Sequence, residues 1–525
     1  MMSTSNGDAW PAGGKKIGGG IKQASALLFL SALFLLFANG RNTVAVAAWL
    51  APIFLMAFLR GGRLWRLLPA YGVVTAAWVF QFRGMVPAPQ PILAIIWLGY
   101  GALVMLPYVA DRLLAFRLKG IMTTLVFPCA AMGFDYLISL LPYGSWGSPA
   151  YTQYGNLPLM QLASVTGIYG ITFLIAWFAS VVNWAWESGF ALRRVRRGLV
   201  TYAVVLLAVL SFGGARLMFA PAGPTVRVAS LTAPDMATFP DAEIARRVDS
   251  NALTADDMQR IRDWSRQIDG DLLRRAAQEA DAGAKIVFWG EGNSYVVPED
   301  EPWLMAQASE LARAKNIYLG LGNVVYHYGE PRPLENALVL FDPSGALVWK
   351  FLKARPVPGG EAARSRTSEG KLKFVDTPYG RLSSVICFDA DSVQLLHQAG
   401  RGRADLVLIP SNDWRAIDPW HTQMAVFRGI EQGFNTVRHV SGGLSVATDY
   451  QGRIRGLMDH YQTPAERQLV AEVPTKGVQT IYSRVGDLFS WLALAGLAGL
   501  ALAATSLALT DKNRGVIDRV SAPLK

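Results

Sequence analysis

The chain has 525 residues, of which 52% are hydrophobic and only 17% charged, against roughly 25% charged in soluble domains. This composition excludes a disordered chain and a single soluble globule, and it calls for a membrane to house the apolar excess. The formal charge of +11 does not point to nucleic acid: residues 217–510 hold 30 Lys and Arg against 33 Asp and Glu, and the remainder holds 20 against 6. The positive excess therefore flanks the most apolar sequence, as cytoplasmic loops of a membrane protein do, and no nucleic-acid partner is expected.

Uncharged apolar stretches run over residues 23–40, 42–59, 67–82, 84–110, 120–141 (interrupted by Asp135), 159–186, 198–215 and 488–510. Each supplies close to the about 20 apolar residues that a helix needs to cross the bilayer, which predicts seven spans, a polar block and an eighth span. Lys15, Lys16 and Lys22 precede the first stretch. Arg60, Arg63 and Arg66 follow the second; Arg112, Arg117 and Lys119 the fourth; Arg193, Arg194, Arg196 and Arg197 the sixth; and Lys512, Arg514, Arg519 and Lys525 the eighth. The alternate loops carry only Arg41 and Arg83, a split of 17 to 2. That bias predicts cytoplasmic N- and C-termini, with the polar block on the far side. The first lysines and apolar run also fit a signal peptide ending near Ala38-Asn39-Gly40, but the further spans favour a retained helix.

The expected domains are residues 1–215, a membrane domain of about seven helices; residues 216–484, a catalytic domain outside the cytoplasm; and residues 485–525, a last span with a cytoplasmic tail. From Thr225 the pattern becomes short β-rich runs alternating with helical stretches. Strands are expected at 226–231, 285–289, 317–326, 337–341, 346–351, 382–387, 406–410, 443–449 and 453–457, and helices at 256–282, 303–314 and 420–432. Such interleaving predicts a layered α/β domain. The fold class expected is thus a multi-pass α-helical membrane domain plus α/β.

Three polar residues stand at places where chemistry is commonly presented. Glu291 closes the apolar run Ile286 to Gly290, where a carboxylate is either a partly desolvated base or the first residue of a loop. Lys353 opens a loop shaped by Pro356, Pro358, Gly359 and Gly360. Cys387 ends the run Ser384-Val385-Ile386; taken alone it reads as a buried structural thiol. Cys129 lies far away in an apolar stretch, so no disulfide framework is implied. Among His327, His397, His421, His439 and His460 no zinc-ligand spacing occurs, and no phosphate-binding glycine loop is present. Neither a metal nor another cofactor is expected, while spacing leaves a Cys-His mechanism open.

Taken in order, these segments resemble the nitrilase superfamily, and the whole chain resembles the bacterial apolipoprotein N-acyltransferases. The motifs that carry the resemblance are Phe288-Trp289-Gly290-Glu291, the loop Lys353 to Glu361, Ile386-Cys387-Phe388-Asp389 and Pro410-Ser411-Asn412-Asp413-Trp414. Pro419-Trp420-His421, Gln423-Met424-Ala425, Arg428 with Glu431, Arg438, Thr448 to Gly452, Tyr154 to Leu159 and Gly167 to Gly170 match as well. The resemblance implies a nitrilase-like αββα sandwich inserted before the last transmembrane helix. It implies Glu291 as general base, Lys353 as oxyanion stabiliser and Cys387 as nucleophile, with Glu361, Phe388, Asp389, Trp289, Asn412, Trp414 and Arg438 supporting or binding substrate. It further implies an acyl chain moved from a phospholipid, through a Cys387 thioester, to the N-terminal amine of a lipoprotein or another amine, by a monomer in the bacterial inner membrane. The chain departs from the family pattern at Trp289-Gly290-Glu291-Gly292 (commonly Trp-Pro-Glu-Ser), at Cys387-Phe388-Asp389 (Cys-Tyr-Glu) and at Val440-Ser441-Gly442-Gly443 (Asn-Asn-Gly). These changes bear on the identity of the acyl acceptor, and a related amidase or N-acyltransferase with another acceptor is the competing expectation.

Overall fold

A computed structural model describes residues 20–221, 223–233, 242–250, 252–462 and 467–520. Lys15, Lys16 and Lys525, used above to orient the chain, lie outside the described residues. The chain divides into two units. One is built from the described parts of Met1–Leu141, Gly147–Met218 and Val485–Lys525, and the other from Pro142–Trp146 and Phe219–Arg484. The short segment Pro142–Trp146 was expected to be part of the membrane domain, but it packs as a piece of the second unit.

In the first unit, five helices among the described residues are long and apolar enough to cross a membrane: Ile92–Arg117, Gly120–Ser139, Tyr169–Glu187, Leu192–Met218 and Leu488–Ala508. The first three expected spans form helices of only 15, 16 and 15 residues, Ile21–Leu35, Ala45–Arg60 and Leu67–Gln81. At 1.5 Å per residue each is about 22–24 Å long, short of the about 30 Å of hydrocarbon. The expected sixth span is broken in two. Gly167 adopts φ +67° after the short helix Ala163–Thr166, and the long helix restarts at Tyr169; a left-handed residue stops the hydrogen-bond ladder there.

The polar side chains of this unit are spent on its own backbone and on each other. Arg60 donates Nε and Nη2 to the two carboxylate oxygens of Asp111 at 2.7 and 2.6 Å, and Nη1 to Glu187 at 3.1 Å. Arg66 donates to the Phe58 carbonyl at 2.8 Å, and Arg112 donates to the carbonyls of Leu59 and Gly62. Two of the arginines read as orientation signals thus satisfy carbonyls left open at the end of helix Ala45–Arg60, and a third is neutralised by carboxylates. Asp135, the charge inside an apolar stretch, accepts from Ser148 Oγ at 2.7 Å and Thr172 Oγ1 at 2.6 Å. It joins three chain segments by hydrogen bonds.

In the second unit, thirteen strands among the described residues form two sheets. The strands are β1 (Thr225–Leu231), β2 (Ile286–Trp289), β3 (Ser294–Val296), β4 (Tyr318–Tyr326), β5 (Leu334–Phe341), β6 (Leu347–Leu352), β7 (Phe374–Thr377), β8 (Gly380–Ser384), β9 (Leu406–Asn412), β10 (Asn435–Ser441), β11 (Leu444–Thr448), β12 (Ile454–Asp459) and β13 (Gln468–Pro474). One sheet has the order β13-β1-β2-β4-β5-β6, with β3 beside β4, and the other β12-β11-β10-β9-β8-β7. Within each, the central pairs β1–β2, β2–β4, β8–β9 and β9–β10 are parallel, as is β3–β4, and the remaining pairs are antiparallel. Side chains alternate with the strand period of two. Val226, Val228, Ile286, Phe288, Leu338 and Leu340 point to the other sheet and join a core with Leu382, Leu406, Leu408 and Val437. Ala229, Leu231, Val287, Trp289, Val339 and Phe341 point the other way, onto helices Ala255–Asp281 and Glu301–Lys315. Helices Val393–Arg401 and Trp420–Gln432 pack beside the second sheet. The result is the expected αββα sandwich.

Candidate active site

The ends of β2, β6 and β8 supply the site, β2 from the parallel centre of its sheet and β6 from its edge. β2 stops at Trp289, and the chain turns through Gly290 and Gly292, the latter at φ +61°, leaving Glu291 just past the strand end. Glu291 is 6% exposed. Its Oε1 accepts from Asn336 Nδ2 at 2.7 Å and Lys353 Nζ at 2.8 Å, and its Oε2 accepts from the Asn412 amide at 2.9 Å. Lys353 follows β6 directly, and its ammonium bridges Glu291 and Glu361, donating to Glu361 Oε1 at 2.7 Å. Glu361 is itself anchored, its other oxygen accepting from the Val357 amide at 2.8 Å. Burial opposes the charge on Lys353, yet Glu291, the Cys387 sulfur and Glu361 outweigh it and hold the pKa well above the ordinary lysine value.

The strand expected to run through Cys387 ends at Ser384, and the thiol stands in a 3-10 turn, Cys387–Asp391. Cys387 has φ +49°, a conformation that costs a non-glycine residue on the order of 1–3 kcal/mol and persists only where surrounding contacts enforce it. Asp389 provides them. Its buried carboxylate accepts from the amides of Ile386 (3.0 Å), Ala354 (3.1 Å) and Arg355 (2.7 Å), tying the cysteine turn to the lysine loop. Burial pushes the Asp389 pKa up to about 7, with those amides and Lys353 pulling against it. Cys387 Sγ lies 3.9 Å from the carbonyl of Asn412, the residue whose amide holds Glu291. Burial and then Glu291 drive the thiol pKa well above its ordinary value, with Lys353 and Arg438 pulling it down. The resting sulfur is a thiol, and it needs a base to attack.

The other predicted residues are not equivalent. Glu361 and Asp389 belong to this cluster, and Asn412 serves it through its backbone. Phe388 is buried in the turn, and Trp414 is 36% exposed just beyond β9. Trp289 is fully buried and faces the helical layer, in contact with a core that includes Leu272 and Leu304. It supports the strand and does not line the site, because its position in the two-residue period points it away from the second sheet. Arg438, in β10, donates to both oxygens of Asp413 at 3.1 and 2.9 Å.

Sequence reasoning assigned no role to Asn336, which bonds Glu291 from an ordinary hairpin strand, or to Asp391, Asp413 and His421. Asp413 and His421 stood inside quoted motifs, which was the available signal; Asn336 and Asp391 carried none. Cys387, Asp413 and His421 are the one group of three metal-capable side chains among the described residues, with ligand atoms within 4.8 Å of one another. The guanidinium of Arg438 already sits on Asp413 and within 2.8 Å of His421 Nδ1, where a cation would bind.

Comparison with known proteins agrees with this organisation. Residues 249–478 match the carbon-nitrogen hydrolase family and residues 25–181 the apolipoprotein N-acyltransferase N-terminal domain. The apolipoprotein N-acyltransferase of Geobacter metallireducens is 29% identical over 409 residues, covering 73% of this chain and 74% of that one. That of Rhodopseudomonas palustris is 27% identical over 396 residues, 67% of each chain. The crystal structure of an amidase from Nesterenkonia sp. covers 51% of this chain and 95% of its own at 17% identity, with a TM-score of 0.37. Carrying that N-terminal domain ahead of a carbon-nitrogen hydrolase domain on one apolar-helix framework, this bacterial membrane protein belongs to the apolipoprotein N-acyltransferase family.

Proposed function

We propose that the chain transfers an acyl chain from a membrane phospholipid to the α-amine of a lipoprotein's N-terminal diacylglyceryl-cysteine, with Cys387 as nucleophile, Glu291 as general base and Lys353 as oxyanion stabiliser. The observation that carries this reading is the buried chain Glu361–Lys353–Glu291 beside a thiol held at positive φ. Glu291 takes the thiol proton as sulfur attacks the ester carbonyl, and the negative oxygen of the tetrahedral adduct faces the Lys353 ammonium. Collapse breaks the ester bond, the lysophospholipid alkoxide recovers the proton from Glu291, and a thioester remains on Cys387. The amine of the second substrate then attacks the thioester, Glu291 removes its extra proton, and the sulfur leaves and is reprotonated. Glu361 holds Lys353 in place, so the ammonium cannot simply follow Glu291 when its charge changes.

The membrane unit supports the choice of substrates, because both are amphiphiles held in a bilayer and need only a lateral encounter. The inner membrane, cytoplasmic termini, a catalytic unit on the outer face and a monomeric state belong to the same proposal, carried by the charge bias of the loops. Membranes incubated with acyl-labelled phospholipid should leave label on the wild-type chain and none on Cys387→Ala; equal labelling would remove the nucleophile assignment. In cells depleted of their own N-acyltransferase, the chain should restore triacylated lipoproteins in mass spectra. Persistent diacylated forms with intact thioester labelling would place the acceptor elsewhere.

A further inference from the structure

Behind the sulfur lies a second buried ionic cluster that the mechanism above does not use. His421, in the first turn of helix Trp420–Gln432, is 1% exposed. Its Nδ1 is 2.9 Å from Asp413 Oδ1 and its Nε2 3.2 Å from Asp391 Oδ1. Asp391 closes the turn that carries Cys387, Asp413 follows β9, and Arg438 reaches in from β10. Cys387 belongs to the same shell, its sulfur and the ligand atoms of Asp413 and His421 lying within 4.8 Å of one another, and Asp418 and Tyr461 act on Asp413 from outside it. Asp391 is 3% exposed, and among the described residues the donor that faces its carboxylate is His421 Nε2, 3.2 Å from Oδ1. The cluster therefore sets two buried carboxylates against one guanidinium, and buried charges persist only when compensated. The imidazole between the carboxylates is the group left to supply the second positive charge. Burial alone would lower its pKa, but Asp391 and Asp413 raise it to about 9.

The cluster is capped by the segment that departs from the membrane sequence. The Trp146 ring lies 5.3 Å from that of His421, and the Trp146 carbonyl accepts from Trp420 Nε1 at 3.2 Å. Gly144, at φ +62°, is pressed so closely on Asp391 that a Cβ would come within 2.8 Å of its carbonyl oxygen.

We propose that His421 is a positioning residue for the acyl transfer. Clamped as an imidazolium between Asp391 and Asp413 and covered by Trp146, it cancels the second buried carboxylate at the back of Cys387, so that negative charge can form on the sulfur. The inference rests on Cys387 being the nucleophile, and it concerns charge and not shape. A neutral imidazole accepting from Arg438 would leave the sulfur facing a net negative cluster and would slow ionisation of the thiol.

The test reads the alkylation rate of Cys387 by iodoacetamide against pH in the full-length protein, in a Cys129→Ser background so that one thiol remains. His421→Gln should move the curve up by about one pH unit and slow alkylation near neutral pH about tenfold. Adding Asp391→Asn should return the rate to within about threefold of the parent, since the extra carboxylate is gone. Asp391→Asn alone should move the curve down, which keeps the idea testable if His421→Gln does not fold. An unmoved curve in folded His421→Gln, a double variant as slow as the single one, or an unmoved or upward-shifted curve in Asp391→Asn overturns the proposal while leaving Cys387 as nucleophile. A parent protein whose alkylation matches that of a Cys387→Ala control removes the nucleophile and this inference together.

Discussion

Lys353 is the residue on which the site's geometry turns, because its ammonium bridges Glu291 and Glu361. Losing Glu361 would leave the ammonium bound to the base alone and free to swing with it. Glu361→Gln should therefore lower the rate of acyl-enzyme formation about tenfold to a hundredfold, the scale expected when a reacting group is misplaced by about 1 Å, with little change in thermal unfolding. Lys353→Met should cost more, at least about a hundredfold in the same labelling assay, since it removes charge stabilisation that exists only in the transition state. A variant that labels at the wild-type rate would show that another donor holds the oxyanion.

The long helix Ala255–Asp281 begins with a complete capping box. Thr254 Oγ1 accepts from the Asp257 amide at 3.1 Å, and Asp257 accepts from the Thr254 amide at 2.9 Å. Further along, its fully buried Asp269 faces the sheet, and burial, reinforced by Asp300 and partly offset by Ser294, raises its pKa from 3.8 to about 7. Below pH 3.8 the group is protonated in folded and unfolded chains alike. As pH rises to about 7 the unfolded chain ionises first, so folding loses stability across that interval and the penalty then stays constant. Asp269→Asn should accordingly be close to neutral near pH 4 and more stable than wild type above pH 7 by about 2–4 kcal/mol, read from unfolding curves at both pH values. Thr254→Ala should cost about 1 kcal/mol near neutral pH, because it removes the hydroxyl that accepts from the Asp257 amide and donates to the Asp257 carboxylate.

At the scale of the whole molecule, the membrane unit is held by ion pairs as well as by apolar packing. Arg60 meets Asp111 through two parallel hydrogen bonds, both side chains 2% exposed. Asp111→Asn leaves Glu187 as the carboxylate still bound to Arg60, so it should destabilise this unit by about 1.5–3 kcal/mol and lower the temperature at which detergent-solubilised protein aggregates. The orientation proposed from the loop charges predicts that a reporter fused after Lys525 is active on the cytoplasmic side. Activity on the opposite side would reverse the placement of the catalytic unit.

Much of this was legible in the residues. Composition and apolar run length sufficed for a membrane protein, and the alternation of Val226, Val228 and Ala229, Leu231 is already the two-faced strand that the sandwich buries on both sides. Glu291, Lys353 and Cys387 each stand where an apolar run ends, a local property, but it was the ordered set of family-like motifs that nominated them together. What lay beyond local pattern was decided by packing. The break at Gly167 depends on a single residue's φ, and the short helices Ile21–Leu35 and Leu67–Gln81 are shorter than their apolar runs. Trp289 turned toward the helices because the sheet's period put it there. Asn336, Asp391, Asp413 and His421 meet around Glu291 and the sulfur from a strand, a turn, a strand end and a helix, with 85 positions between Asn336 and His421. Hydrophobic period and chain chemistry are written along the sequence, and they determined the two kinds of domain. Which charges face one another is set by strand order and burial, and only the tertiary structure could decide that the second ionic cluster stands behind Cys387.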